Sequence, residues 1–244
     1  HTSQPPRLLD QVRAAIRLRH YSASTEEVYV RWIRRYILFH QKRHPSDMGA
    51  TEVTGFLSHL ALAEKVSAST QNQAKAALLF LYKAVLGIEL PWLDEVIQAR
   101  RPRRIPVVLS VHEVNQLLDQ MTGTMGLFAE LLYGSGMRLM EGLSLRVKDV
   151  DFEAGELLVR DGKGGKDRVT VFPRSLASRL RAQLTKVKAL HEKDLAEGLG
   201  NVFLPDALAR KWPKAGRTWP WQWVFPSGLR SAHPVTGLIG RWHI

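Results

Sequence analysis

The chain has 244 residues, 45% of them hydrophobic and 24% charged, and no cysteine. That balance belongs to a globular protein of one large domain or two ordinary ones; it excludes disulfides and thiolate metal sites, and no apolar run is long enough to span a bilayer. Lys and Arg number 35 against 23 Asp and Glu, a formal charge of +12, an excess that attracts polyanions and points to nucleic acid.

The first hundred residues read as four amphipathic helices with short connections, a small bundle. The first covers Leu8–Leu18. Ser24-Thr25-Glu26-Glu27 has the form of a capping box, and Val28, Trp32, Ile33 and Tyr36 follow at helical spacing. Arg31, Arg34 and Arg35 lie off that stripe and are expected to meet DNA. A third helix is expected near Thr51–Ala63, and a fourth from about Thr70 with Ala74, Ala77, Leu78, Leu81 and Val85 on one face, stopped by Gly87. His40 and His44 stand four apart, but no third ligand is near, so neither metal nor cofactor is expected.

Arg100-Arg101-Pro102-Arg103-Arg104-Ile105-Pro106 changes the character of the chain. Its prolines disfavour helix, and four neighbouring cations call for an anionic counter-charge such as phosphate. This divides the chain into a helical domain at 1–98, a basic extended linker at 99–107 and a second domain at 108–244. The second domain opens with the capping box Ser110-Val111-His112-Glu113 and a helix to about Gln120. The apolar segment Leu127–Tyr133 leads to Gly134-Ser135-Gly136-Met137-Arg138-Leu139-Met140-Glu141, where Arg138 and Glu141 share one helix face. A hairpin follows, with Leu157, Leu158 and Val159 on one strand and Val169, Val171 and Phe172 on the other. Its turn, Asp161-Gly162-Lys163-Gly164-Gly165-Lys166-Asp167, lacks the Walker pattern and offers a lysine to a phosphodiester instead. A long amphipathic helix starts near Ser175.

Five of the seven tryptophans lie beyond residue 211. In the stretch 200–223 a short helix is expected at Pro205–Lys211, and the alternation of Trp219, Trp221 and Trp223 predicts one aromatic face of an extended segment. Such a face serves a core or stacks on unpaired bases; for Trp221 both readings stand.

The stretch Gly136–Glu141, with Lys163 placed 25 residues after Arg138, resembles the tyrosine recombinases. The tryptophan-rich insertion makes the chain similar to the integron integrases within them. The resemblance implies a mainly α fold with a small β-hairpin or sheet, in which a helical core-binding domain and a mixed α/β catalytic domain form a two-domain, C-shaped DNA clamp. It implies site-specific DNA recombination, the integration and excision of gene cassettes, through a 3′-phosphotyrosyl link and without a metal. Arg138 would neutralise the phosphate, Lys163 would protonate the departing oxygen, and Glu141 would orient the arginine. Lys166 and Arg168 are expected on the DNA backbone. Trp221, Pro234, Trp242 and His243 are expected on the extrahelical bases of a folded single-stranded site.

The resemblance also implies a His-x-x-Arg motif, a further His or Trp, and a nucleophilic tyrosine after the insertion. Up to Ile244 none is found: His40–Arg43 is the one His-x-x-Arg, and Tyr21, Tyr29, Tyr36, Tyr82 and Tyr133 all precede Arg138. The catalytic domain is therefore expected to be truncated and incomplete at its C-terminal side, so that these residues alone do not complete cleavage. The partners implied are double-stranded and folded single-stranded DNA and, for the complete protein, a homotetramer on two sites, in the bacterial cytoplasm with the nucleoid. The alternatives are a non-catalytic or truncated DNA-binding protein, and a phage-type integrase acting on duplex sites.

Overall fold

The computed structural model describes residues 6–90, 105–162, 164–204, 206–232 and 237–244. Arg100, Arg101, Arg103, Arg104, Lys163 and Pro234, all singled out above, lie outside these described residues. The chain forms two compact units, His1–Pro106 and Val107–Ile244.

In the first unit, α1 (Leu8–Leu18), α2 (Ala23–Phe39), α3 (Ala50–Leu62) and α4 (Ala68–Phe80) follow the four apolar stripes, and α4 continues into a π-helical turn, Leu81–Leu86. Gly87, at φ +68°, ends it in the left-handed region that favours glycine. Ile33, Tyr36, Leu60, Leu78 and Leu81 are fully buried, with Phe56 and Leu57 beside them. The buried hydroxyls of Tyr36 and Tyr82 satisfy one another at 2.8 Å, as polar groups in an apolar core must.

The start of α2 differs from expectation. Ser22, not Ser24, caps it, its Oγ accepting from the Thr25 amide at 3.1 Å. Glu26, next to the expected capping acid Glu27, receives the Arg17 guanidinium through two 2.8 Å bonds, tying α1 to α2. The histidines have structural work as well: His40 Nε2 bonds the Glu52 carbonyl at 3.1 Å, and His44 Nδ1 accepts from the Ser46 amide.

The second unit begins with α5 (Val111–Asp119), held by the capping box read from sequence: Ser110 Oγ accepts from the Glu113 amide and the Glu113 carboxylate from the Ser110 amide. Then come α6 (Gly123–Ser135) and the short α7 (Leu139–Leu143). A three-stranded antiparallel sheet has the order β1 (Val150–Asp151), β2 (Glu156–Val159), β3 (Arg168–Val171), with Leu157 opposite Thr170. The hairpin thus gains a strand. Asp151 Oδ1 accepts from the Glu153 and Ala154 amides, and Gly155 turns at φ +72°, which folds β1 back on β2. The long α8 (Ala177–Ala196), the short α9 (Asp206–Lys211), and a two-stranded ribbon of β4 (Ser231–Ala232) and β5 (Ile239–Gly240) complete it. Leu131, Leu157, Phe172, Leu180, Val224 and Phe225 form its core. The protein is mainly helical with small antiparallel sheets, as the sequence predicts.

The aromatic strand does not form. Trp219–Trp221 is a single 3₁₀ turn with Pro220 inside it, because proline fixes φ and donates no ladder hydrogen bond. The three tryptophans consequently part company: Trp223 is 7% exposed in the core, whereas Trp219 and Trp221 are half-buried. Among the described residues no helix is long and apolar enough to cross a membrane.

Candidate active site and nucleic-acid interface

The site is built where α6 stops. Gly136 takes φ +65° and donates its amide to the Leu132 carbonyl at 2.9 Å, reversing the chain into α7. A Cβ on Gly142 would stand 2.5 Å from Leu132 Cδ2 and 2.9 Å from Phe128 Cε2, so glycine is required for α7 to lie this close on α6. Thr170 Oγ1 donates to the Ser135 carbonyl at 2.7 Å and draws β3 to the same corner.

Arg138 is the residue before α7, and Glu141 is the joint of the site. The Glu141 carboxylate accepts from the Arg138 amide (2.8 Å), from Arg138 Nη1 (2.9 Å), and from Arg168 Nη1 and Nη2 (2.8 and 2.7 Å). The last pair is the bidentate fork that gives arginine–carboxylate contacts their geometric specificity. Arg168 chiefly, with the Arg138 amide and guanidinium behind it, holds the Glu141 carboxyl far below the usual carboxylate range against the opposing effect of burial. The Glu141 side chain is 8% exposed while that of Arg138 is 58% exposed. The acid is therefore fixed and charged, and the first arginine is held by one edge with the rest of its fork open to solvent.

The lysine-bearing turn converges on this joint. A Cβ on Gly162 would lie 3.0 Å from Arg168 Nη1 and 3.2 Å from Glu141 Oε1, so the backbone one residue before Lys163 rests against the Arg168–Glu141 pair. Both ends of the turn are tethered to carboxylates. Arg168 leaves it on Glu141, and Arg160 enters it with Nε 2.7 Å from Oδ1 of the buried Asp149. Inside, the Asp161 amide donates to Asp167 Oδ1 at 2.9 Å and the Gly162 amide to the Lys166 carbonyl at 3.1 Å.

The insertion is stitched to the same neighbourhood. The Val147 amide donates to the Gln222 carbonyl and the Val224 amide to the Leu145 carbonyl, with Arg146 and Trp223 paired between them. Arg146 is buried. It donates to the carbonyls of Trp221 (2.6 Å) and Phe203 (2.8 Å), and its guanidinium lies 3.8 Å from the Trp223 ring centroid. Burial pushes Arg146 down to about 10. The Lys148 ammonium sits 4.1 Å over the Trp221 ring and 3.1 Å from Asp149 Oδ1. Between α7 and the insertion opens a cavity of about 370 Å³. Met140, Glu141 and Ser144 line one wall, Phe203, Trp221 and Trp223 the other, and Arg146, Asp149, Arg160 and Asp161 lie between.

Of the residues singled out from sequence, the structure brings Arg138, Glu141, Arg168 and Trp221 to this one place. His243 stands edge-on to Trp223 at 5.7 Å and Trp242 is 6.5 Å from Phe203. Lys166 is exposed at the turn. Two expected DNA contacts are otherwise engaged. Arg168 holds Glu141, and Arg35, in the first unit, pairs with Glu64 at 2.7 Å and stacks 4.8 Å over Trp32. Arg31 and Arg34 are exposed on α2. Sequence reasoning missed Arg146, Asp149, Arg160, Phe203 and the role of Gly162. The one available signal was an arginine at 146 between apolar Leu145 and Val147.

The chain is similar to known proteins. Residues 8–92 match the N-terminal SAM-like domain of phage integrases, and residues 107–232 match the phage integrase family. The chain is 52% identical over 238 residues, 98% of its length, to proteins named integrase/recombinase from Escherichia coli and Pseudomonas aeruginosa, and spans 71% of each. It is 31% identical over 185 residues to the tyrosine recombinase XerA of Thermococcus kodakarensis, covering 75% of this chain and 63% of that protein. In fold it is similar to the Tn1549 transposon integrase solved with transposon right-end DNA (TM-score 0.56, 17% identity, 88% of this chain and 82% of that one). It is likewise similar to the XerH recombinase bound to its difH substrate (TM-score 0.53, 18% identity, 76% and 60%). The chain belongs to the phage integrase family of tyrosine recombinases.

Proposed function

We propose that this chain forms the DNA-gripping and phosphate-binding part of a site-specific recombinase of the integron integrase type, which integrates and excises gene cassettes. The observation that carries the reading is the convergence of Arg138 and of the 161–167 turn on one ionised carboxylate, Glu141. Arg138 offers its free guanidinium edge to the non-bridging oxygens of a scissile phosphate, where charge grows as a nucleophile attacks. Lys163 gives a proton to the departing 5′ oxygen, so that the phosphorus keeps a link to the attacking tyrosine and the cut strand keeps a hydroxyl for rejoining. Charge neutralisation falls to arginine and lysine rather than to a metal ion. Glu141 contributes nothing covalent; it fixes the angle of Arg138 and, through Arg168, the exit of the lysine turn.

Arg31 and Arg34 on α2, the basic stretch 100–104, and Lys166 serve as contacts to the DNA backbone, which fix register without reading sequence. The cavity beside Glu141 suits a base that protrudes from a folded single strand. It has aromatic walls for stacking and room for one base. Trp221, half-buried at its edge, is the stacking platform, and Trp242 and His243, beside Phe203 and Trp223, join it; Pro234 is the fourth residue proposed to meet the base. The complete enzyme is proposed to work as a homotetramer on two sites, on the bacterial nucleoid.

The test compares two DNA hairpins with the same stem, one carrying protruding bases and one without. A base–aromatic stack is worth roughly 1–3 kcal/mol, so the first should bind at least about fivefold more tightly. Trp221→Ala should abolish that preference and leave the stem affinity unchanged. Equal affinities of the unaltered chain for both hairpins would refute base capture and favour a recombinase of duplex sites.

A further inference from the structure

The last turn of α8 carries a further buried acid, Asp194, which is 4% exposed. A carboxylate withdrawn from water is tolerated when charged donors surround it, and here two arginines do. Arg230 reaches Oδ1 through Nε (3.1 Å) and Nη2 (2.5 Å), and Arg241 reaches Oδ2 through Nε (2.7 Å) and Oδ1 through Nη2 (3.2 Å). Arg230 also meets Glu197 at 2.6 Å, and Arg241 donates to the carbonyls of Ser227 and Gly228. Arg230 directly precedes β4 and Arg241 directly follows β5. One carboxylate therefore pinches the neck of the β4–β5 ribbon.

The neck is bonded to a segment whose aromatic residues touch the cavity lining. The Ser227 amide donates to the Trp242 carbonyl, the Ile244 amide donates to the Phe225 carbonyl, and Pro226 pairs with His243. These bonds hold Trp242 beside Phe203 and His243 beside Trp223, two residues that line the cavity next to Glu141. We propose that Asp194 is a positioning residue for recognition of an unpaired nucleotide: by clamping Arg230 and Arg241 it fixes Trp242 and His243 at the cavity, and it keeps two cations from competing there for backbone phosphate. The proposal rests on the base-capture reading above.

Its physical signature is a split between two kinds of binding. Removing the carboxylate leaves Arg241 without its counter-charge and Arg230 with Glu197 alone, so attraction to the phosphate backbone stays or grows, while the aromatic contact to a base is lost. The experiment uses the 244-residue chain, a hairpin whose protruding base is 2-aminopurine, and the same stem without it. The unaltered chain should quench the 2-aminopurine fluorescence and prefer the protruding-base hairpin by at least about fivefold. Asp194→Asn should bind the plain stem as tightly or more tightly, show a preference below about twofold, and leave the probe bright. Asp194→Glu should recover quenching. Arg230→Gln, which keeps the Arg241 half of the clamp, should fall between and serves if Asp194→Asn fails to fold. If Asp194→Asn, or Arg230→Gln in its place, quenches and discriminates as the unaltered chain does, or loses both hairpins in equal proportion, the positioning role is wrong while base capture stands. If the unaltered chain itself leaves the probe bright, base capture fails and the role of Asp194 falls with it.

Discussion

The two units bury their arginine–acid pairs to different depths: in the helical unit Glu26, Glu52 and Glu64, held by Arg17, Arg43 and Arg35, keep 16, 23 and 35% of their side chains exposed. In the helical unit the core is apolar and closed by Ile33, Tyr36, Leu60 and Leu78, so Arg31 and Arg34 have no part in it and face solvent. In the unit from Val107 onward, arginines are the joints: Arg168 on Glu141, Arg160 on Asp149, Arg230 and Arg241 on Asp194. These acids are each 8% exposed or less in their side chains. A net charge of +12 therefore overstates the number of cations free for DNA. Exposed cations add counterion release upon binding, whereas a paired guanidinium is already neutralised and adds shape.

The strongest way to break this contrast is at Glu141. Glu141→Gln leaves two guanidinium groups without their acid, at a cost of about 1–3 kcal/mol for charged hydrogen bonds, discounted because Arg138 and Arg168 are partly solvated. Hydrogen exchange in α7 and β3 should report the loss, with the bundle unaffected. The pH dependence has a definite sign. The folded pKa of Glu141 is depressed, so its contribution is complete above the usual carboxylate value near about 4.3 and is lost as pH falls through the folded value. The difference between the unaltered chain and Glu141→Gln should be constant from neutral pH to about 5 and close on stronger acidification.

A smaller effect sharpens the contrast from the other side. Arg31→Gln and Arg34→Gln should each lower the slope of log affinity against log salt by about one on duplex DNA. Arg35→Gln should leave the slope nearly unchanged, because Arg35 is already paired with Glu64. Equal slope changes for all three would erase the distinction between free and engaged cations.

The pattern of success in reading the sequence follows the range of the interactions. The stripes of α1, α3 and α4 and the capping box at Ser110 are set within one or two turns of helix, and they stand in the structure as read. The cap of α2 was misplaced by two residues because Ser22 and Ser24 are both eligible caps, and Ser22 meets the Thr25 amide and hydroxyl. The tryptophan alternation misled because period two is a strand signal only where no proline interrupts it, and Pro220 does. Arg146 was illegible for a different reason: its partners, the Trp221 and Phe203 carbonyls, lie 75 and 57 residues away. Asp194 likewise joins partners 36 and 47 residues distant. Spacing within the local chain holds no trace of such pairings.

The central claim is that Arg138, held by Glu141, grips one phosphate. It can be tested by replacing the phosphates of a bound DNA site, one at a time, with neutral methylphosphonates and measuring affinity for the unaltered chain and for Arg138→Ala. The account predicts one phosphate at which substitution weakens the unaltered chain and has no further effect on Arg138→Ala, every other position behaving alike in both proteins. The same profile of penalties in both proteins at every position would contradict it.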